Sequence, residues 1–310
     1  MKGLWRTGWQ LAPVMLAAAA LGVAKPTAMP SPGTINYIEG QVALNGQALP
    51  RNSVGSALLE TNQLLDTGQG KAELLLTPGV FFRVGDNSEV RMVSPGLADT
   101  RVELLKGSGM LEVTELFKEN DIAVLVDGTT TKIEKRGLYD FNADLPAVSV
   151  LDGEATVGRG DAHVTLKKGH EILLANGEAF KSQKVSKAIV ETDPLYRWSS
   201  LRSQYEAEAN INAASTVVVN GGWYGPGWYW DPFWSFYAFL PGDGILYSPF
   251  GWGFYSPGWV WRAPHYYHYP VVGRNGLRAA PAVAGPAVGM RSMGGFHASG
   301  GFHGGGFGRR

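Results

Sequence analysis

The chain reads as a mainly β protein: a β-sandwich or short β-roll, one closing helix, then an aromatic Gly/Pro-rich segment and a disordered tail. Three observations predict this. Between Gly33 and Val190, short apolar runs rich in Val, Ile, Leu and Thr alternate with glycine turns, the grammar of strands and hairpins. Between Val217 and Pro270 lie seven of the ten tryptophans, punctuated by Gly and Pro too often for a long helix. From Val271 onward the chain is Gly, Ala, Pro and Arg with two Gly-Gly-Phe-His units, a composition without a core.

Residues 1–24 read as a cleavable signal peptide. Only Lys2 and Arg6 are charged, Leu11 to Ala24 is an uncharged apolar run, and Gly22-Val23-Ala24 places small residues where a signal peptidase cuts. A retained anchor is the competing reading, but Pro13 interrupts a run shorter than the about 20 residues a span requires. The mature protein is expected in the periplasm or secreted, with no transmembrane span. Cysteine is absent, which removes disulfides, thiolate metal sites and cysteine catalysis. Residues 25–32 form a linker.

Residues 33–190 form the β domain. A pattern of apolar run, charged residue, glycine and second apolar run recurs around Gly40, Gly107, Gly153 and Gly169, and predicts tight hairpins in which glycine supplies positive φ. Further turns are expected at Thr67-Gly68, Pro78-Gly79 and Asp127-Gly128. Residues 191–214 form the helix: Asp193 caps it, Pro194 takes the first position, and Leu195, Trp198, Leu201 and Tyr205 share a face before the signal fades at Asn210 to Asn212.

Residues 215–270 contain a repeat. Gly222-Trp223-Tyr224-Gly225-Pro226-Gly227-Trp228-Tyr229-Trp230-Asp231 matches Gly253-Phe254-Tyr255-Ser256-Pro257-Gly258-Trp259-Val260-Trp261-Arg262. Pro-Gly suits a type II turn, and W-x-W on an extended strand places both indoles on one face. The rings either pack together and onto the β domain as an extra layer, or form an exposed binding face. In the second case the binding residues are Trp223, Trp228, Trp230, Trp259 and Trp261 with Tyr224 and Tyr255.

The formal charge is zero but unevenly spread. From Gly33 to Val190 acids outnumber bases 21 to 16, whereas after Asp243 there is no acid and six arginines. The tail of residues 271–310 is therefore expected to be attracted to anionic envelope polymers or to the acidic body. Nucleic acid is not an expected partner.

The β region resembles the FecR-like domain, the periplasmic sensor part of an iron-dicitrate transport regulator. The resemblance rests on Gly33-Thr34-Ile35 through Gly40-Gln41-Val42, on Leu64-Leu65-Asp66-Thr67-Gly68-Gln69-Gly70-Lys71-Ala72-Glu73-Leu74, on Asn87-Ser88-Glu89, and on Val102 to Gly107. It implies an exported β domain that recognises by protein contact. Sensor proteins of that family carry a cytoplasmic anti-sigma segment and an anchor ahead of the domain. A signal peptide stands in that place here, so the resemblance implies a recognition module without the anti-sigma segment.

No catalytic constellation emerges. Asp66-Thr67-Gly68 spells the aspartic-protease motif, but that chemistry needs a second carboxylate about 3 Å away, and Asp127-Gly128-Thr129 has the wrong order. The six histidines, among them His163, His170, His265 and His268, form no zinc frame. Arg159-Gly160-Asp161 reads as a turn. Hydrolase, metalloprotease and phosphate-loop motifs are missing. No cofactor and no metal are expected. The function expected is a non-enzymatic envelope binding or structural module that recognises a protein or polysaccharide. The alternative is a periplasmic signal-transduction component contacting an outer-membrane receptor.

Overall fold

A computed structural model describes residues 29–174 and 180–264. The predicted signal peptide, the first half of the linker and the tail lie outside the described residues. The protein is mainly β, with one large sheet and one long helix.

Strand β1 (Thr34–Leu44) pairs antiparallel with β3 (Leu64–Leu75) along its length and carries the two-residue β2 (Gln47–Ala48) at its end. The other edge of β3 is shared. Its first residues pair with β5 (Glu89–Gly96), and its last with β4 (Val80–Val84). From β5 one arm runs through β6 (Asp99–Lys106), β8 (Ile122–Val126), β9 (Thr129–Ile133), β12 (Glu154–Arg159) and β13 (Ala162–Lys167). From β4 a second arm runs through β7 (Ser108–Val113), β10 (Gly137–Asn142), β11 (Ala147–Asp152), β14 (His170–Leu173) and β15 (Ser182–Lys184). Strands β6 and β8 pair in parallel.

The recurring glycines are corners rather than hairpin turns. The chain crosses from one arm to the other between β6 and β7 at Gly107, between β11 and β12 at Gly153, and between β13 and β14 at Gly169, each at positive φ. In none of the three do the flanking strands pair with each other. Gly40 does the same within the β1–β3 ribbon, where it faces Gly70 beside a register shift. A Cβ at Gly40 would lie 2.2 Å from the Gln69 carbonyl oxygen, so the two backbones approach only because neither carries a side chain there. Strands that change sheet through bends and bulges make the corners of a sandwich. Thr67-Gly68, expected as a turn, lies inside β3. True two-residue hairpins occur at Asn45-Gly46 and Asp127-Gly128, where both residues have positive φ as a type I′ turn requires.

The arms enclose one core. Val90, Val102, Leu104 and Val124 come from the first arm, and Phe82, Leu111, Tyr139 and Val150 from the second. Strand β4 is buried at every residue, which a two-layer sandwich does not explain. Val80, Phe82 and Val84 enter the core, while Phe81 and Arg83 point to the opposite face of the second arm, where a third layer covers them.

That layer starts with α1 (Lys187–Thr192) and α2 (Pro194–Asn220). Asp193 caps α2 by accepting from the Tyr196 N–H at 2.7 Å, with Pro194 at the first position, as the sequence predicts. The helix runs past Asn210 and ends at Gly221, whose φ is 75°. Its buried stripe is Leu195, Trp198, Ser199, Arg202, Ser203, Glu206, Asn210, Ala213 and Val217. Leu201, expected on the packing face, is exposed because this stripe is mostly polar and lies to one side of it.

Candidate binding surface

The aromatic segment completes the third layer with two hairpins. Strand β16 (Gly227–Asp231) pairs with β17 (Phe236–Leu240), and β18 (Ile245–Tyr247) pairs with β19 (Gly253–Tyr255). Asp231 shapes the first hairpin by accepting from the Phe233 and Trp234 N–H groups at 2.8 and 3.1 Å. Trp228 and Trp230 share a face of β16, as the W-x-W spacing predicts, and that face turns inward. Trp228 meets Phe81 edge-on at 5.2 Å, and Trp230 meets Tyr237 at 5.1 Å.

The second unit of the repeat differs. Pro257–Arg262 is a 3-10 helix, so Trp259 and Trp261 do not lie on a strand. Strand β19 ends after Tyr255: the Ser256 N–H still donates to the Gly244 carbonyl in register with β18, but Pro257 has no N–H to donate. Neither Gly227 nor Gly258 has positive φ, so neither Pro-Gly pair makes a type II turn. Gly227 instead opens β16, paired with Leu240.

The candidate residues therefore divide. Trp228 and Tyr255 are buried, Trp230 and Trp259 are half-buried, and Trp223, Tyr224 and Trp261 are exposed at 39%, 55% and 67%. The exposed rings fall in two groups. In one, Trp223 and Tyr224 stack on Tyr229 with centroids 5.6 and 4.3 Å away and planes within 15°. The Tyr224 N–H donates to the Tyr229 hydroxyl at 3.1 Å, and the Tyr224 hydroxyl donates to the Trp228 carbonyl at 2.5 Å. Burial and the neighbouring Tyr229 push the Tyr224 hydroxyl up to about 12, so this group is uncharged. In the other, Trp259 and Trp261 flank Arg262, whose guanidinium lies 4.6 and 4.8 Å from their ring centres.

A cluster of charges holds the cap, meaning α2 and the two hairpins, to the sheet. Arg83 donates to Glu73 at 2.7 Å and to Glu112 at 2.5 Å, all three side chains fully buried. Arg202 on α2 donates to Glu73 and Glu206, each at 2.8 Å. Burial alone would raise Glu73, but Arg202 and Arg83 outweigh it and hold its carboxyl well below the usual range. For Glu206, burial and the adjacent Glu73 carboxylate prevail and raise it well above that range, which favours the uncharged carboxyl. Ser203 adds a bond to Glu112 at 2.8 Å.

Two asparagines tie down the hairpins. Asn36 of β1 accepts from the Tyr237 N–H at 2.9 Å and donates to its carbonyl at 3.1 Å. Asn210 accepts from the Tyr255 N–H at 2.8 Å and donates to the Phe239 carbonyl, also at 2.8 Å. These polar residues escaped the sequence reading. The available signal was a charge inside a wholly apolar run, as Arg83 stands in Val-Phe-Phe-Arg-Val.

The remaining motifs find ordinary places. Asp66-Thr67-Gly68 lines an open groove of about 610 Å³ together with Gly40, Gln41 and Leu49. Thr67 is held by strand bonds, donating to the Gly85 carbonyl at 2.5 Å and accepting from the Ser88 N–H at 2.9 Å. The carboxylate opposite Asp66 is Glu89, across the β3–β5 pair. Asp127 sits in the β8–β9 turn, bound to Arg159 at 3.2 Å. Arg159-Gly160-Asp161 forms the β12–β13 turn. His163 is exposed and His170 half-buried, and His265 and His268 lie outside the described residues. Among the described residues, no group of three His, Asp or Glu side chains is placed to hold a metal ion, and no helix is long and apolar enough to cross a membrane.

These features define a β protein whose two-layer sheet carries a helical and aromatic cap with a partly exposed rim. No family model matches the chain, and no curated protein matches it. Two crystal structures from Parabacteroides distasonis ATCC 8503, at 1.65 and 2.50 Å resolution and each proposed to be an anti-sigma factor, are similar with a TM-score of 0.36. Their identities to the chain are 15% and 16%, over 42% and 41% of its length. The matches cover 65% and 62% of those chains, less than two thirds of either.

Proposed function

We propose that the protein is an exported, non-enzymatic binding module of the cell envelope, in which a FecR-like β domain presents a fixed aromatic rim to a polysaccharide. One observation carries this reading. The cap buries Trp228, Phe236, Phe239 and Phe254, yet leaves Trp223 and Tyr224 at the surface, stacked and hydrogen-bonded in place. Flat rings held rigidly at a surface offer contact area at little cost in side-chain entropy.

Pull-down of the mature protein with purified envelope polysaccharide tests the reading. The doubly substituted Trp223→Ala, Tyr224→Ala protein is expected to lose most of the binding. Retention equal to the parent, or no binding by the parent to any envelope polymer, would remove the proposal.

A further inference from the structure

The second exposed group, at the end of the aromatic segment, differs chemically from the first because it contains a cation. Arg262 lies over both Trp259 and Trp261, within the distance at which a guanidinium is attracted to an indole face. Both rings are oriented by their own N–H groups. Trp259 donates to Asp243 at 3.0 Å, and Trp261 to the Gly258 carbonyl at 3.1 Å. Arg262 is exposed, and among the described residues no carboxylate lies within ion-pairing distance of it. A guanidinium stacked on rings keeps its in-plane N–H donors free for a planar anion. Residues 263–310 add five arginines and no Asp or Glu side chain.

We infer that Trp259, Trp261 and Arg262 form a binding site for a uronate residue of an acidic polysaccharide. This rests on the reading of the protein as a glycan-binding module and names the sugar class. A uronate pairs an apolar C–H face with a carboxylate at its edge. The exposed face of Trp261 takes the first, and the guanidinium takes the second in a bidentate pair. A lipid surface fits less well. Interfacial anchoring needs a broad apolar helix face, whereas this six-residue turn exposes one indole and sends Val260 inward against the cap.

Affinity electrophoresis of the full mature chain tests the site, using gels that contain alginate, dextran or polyphosphate. Alginate supplies uronates, dextran a neutral sugar, and polyphosphate charge without a sugar ring. Alginate is expected to retard the parent strongly and dextran weakly. Trp261→Ala, which leaves the charge unchanged, is expected to weaken alginate binding about tenfold, as loss of a cation–π and stacking contact would. Its retardation by polyphosphate should not change. Arg262→Gln should weaken alginate binding to a similar degree, and Arg262→Lys should restore little of it, since lysine lacks the planar fork.

Alginate binding unaffected by Trp261→Ala would overturn the inference and assign the attraction to the tail arginines alone. Equal retardation by dextran would overturn it in favour of a neutral-sugar site. If the parent binds no envelope polymer at all, the broader reading fails. If it binds but neither substitution matters, only this site fails. Both side chains are exposed, and an unchanged thermal melt confirms that the variants fold.

Discussion

Arg202 reaches from α2 to Glu73 on the sheet while also holding Glu206 one turn along its own helix. Removing one partner of a buried ion pair leaves the other desolvated, at a cost of about 3–5 kcal/mol. Arg202→Met is therefore expected to lower the unfolding free energy in urea by about that amount. Glu206→Gln should be mild, because burial and the Glu73 carboxylate already favour the uncharged form of Glu206. Its raised carboxyl contributes stability that is present below the ordinary carboxylate range and lost as pH rises through the folded value. The parent should weaken across that interval, and Glu206→Gln should flatten the fall. Glu73 acts in the opposite sense. Its depressed carboxyl contributes stability above the ordinary range that is lost only in strong acid.

Asp140 gives a second pH prediction. It is half-buried on β10, and desolvation together with the nearby Asp193 and Glu171 carboxylates pushes it up to about 7. Stability is expected to fall as pH rises from about 3.9, the ordinary aspartate value, towards the folded value. Asp140→Asn should remove that part of the slope in melts recorded at a series of pH values. Of this chemistry only Arg83, a charge inside the apolar run Val-Phe-Phe-Arg-Val, left a trace in the sequence. A lone charge in a strand reads as a solvent-facing position, and only the third layer makes the face of Glu73, Arg83 and Glu112 an interior.

At the scale of elements, the strands, the helix start and the repeat were legible because each depends on local chemistry. Alternation marks strands, Asp193-Pro194 marks a helix start, and Asn-Gly and Asp-Gly mark type I′ turns. The corner glycines were legible as glycines needing positive φ but not as corners. Whether a turn returns the chain to its own sheet or sends it to the other depends on the partner each strand finds. The two halves of the repeat diverge for the same reason: β16 has β17 beside it, and among the described residues Pro257–Arg262 has no strand to pair with. This division predicts unequal costs. Trp228→Ala empties a site between Phe81 and Phe239 and should cost about 3–5 kcal/mol. Trp261→Ala, at the surface, should change stability by no more than about 0.5 kcal/mol. Parallel urea titrations of the two variants check the contrast.

For the whole molecule, sheet and cap share an interior. Glu73, Arg83 and Glu112 belong to the sheet, Arg202 and Glu206 to the helix, and Asn36 and Asn210 join both to the hairpins. Opening the cap would strand several buried charges at once, so cap and sheet are expected to unfold together. Tryptophan fluorescence, dominated by the cap, and far-ultraviolet dichroism, dominated by the sheet, should give coincident thermal transitions. A fluorescence transition well below the dichroism transition would show the cap to be an independent unit.

The sequence by itself determined the class of the fold, the start of the helix and the presence of a repeated aromatic unit. These follow from backbone preferences and from periodicities of two and 3.6 residues, which act within a few neighbours. The tertiary structure decided which aromatics are core and which are rim, which glycines are corners, and which charges are buried. Those outcomes depend on what packs against each side chain, and for Arg83, Trp228 and Trp261 that partner lies far along the chain or is solvent.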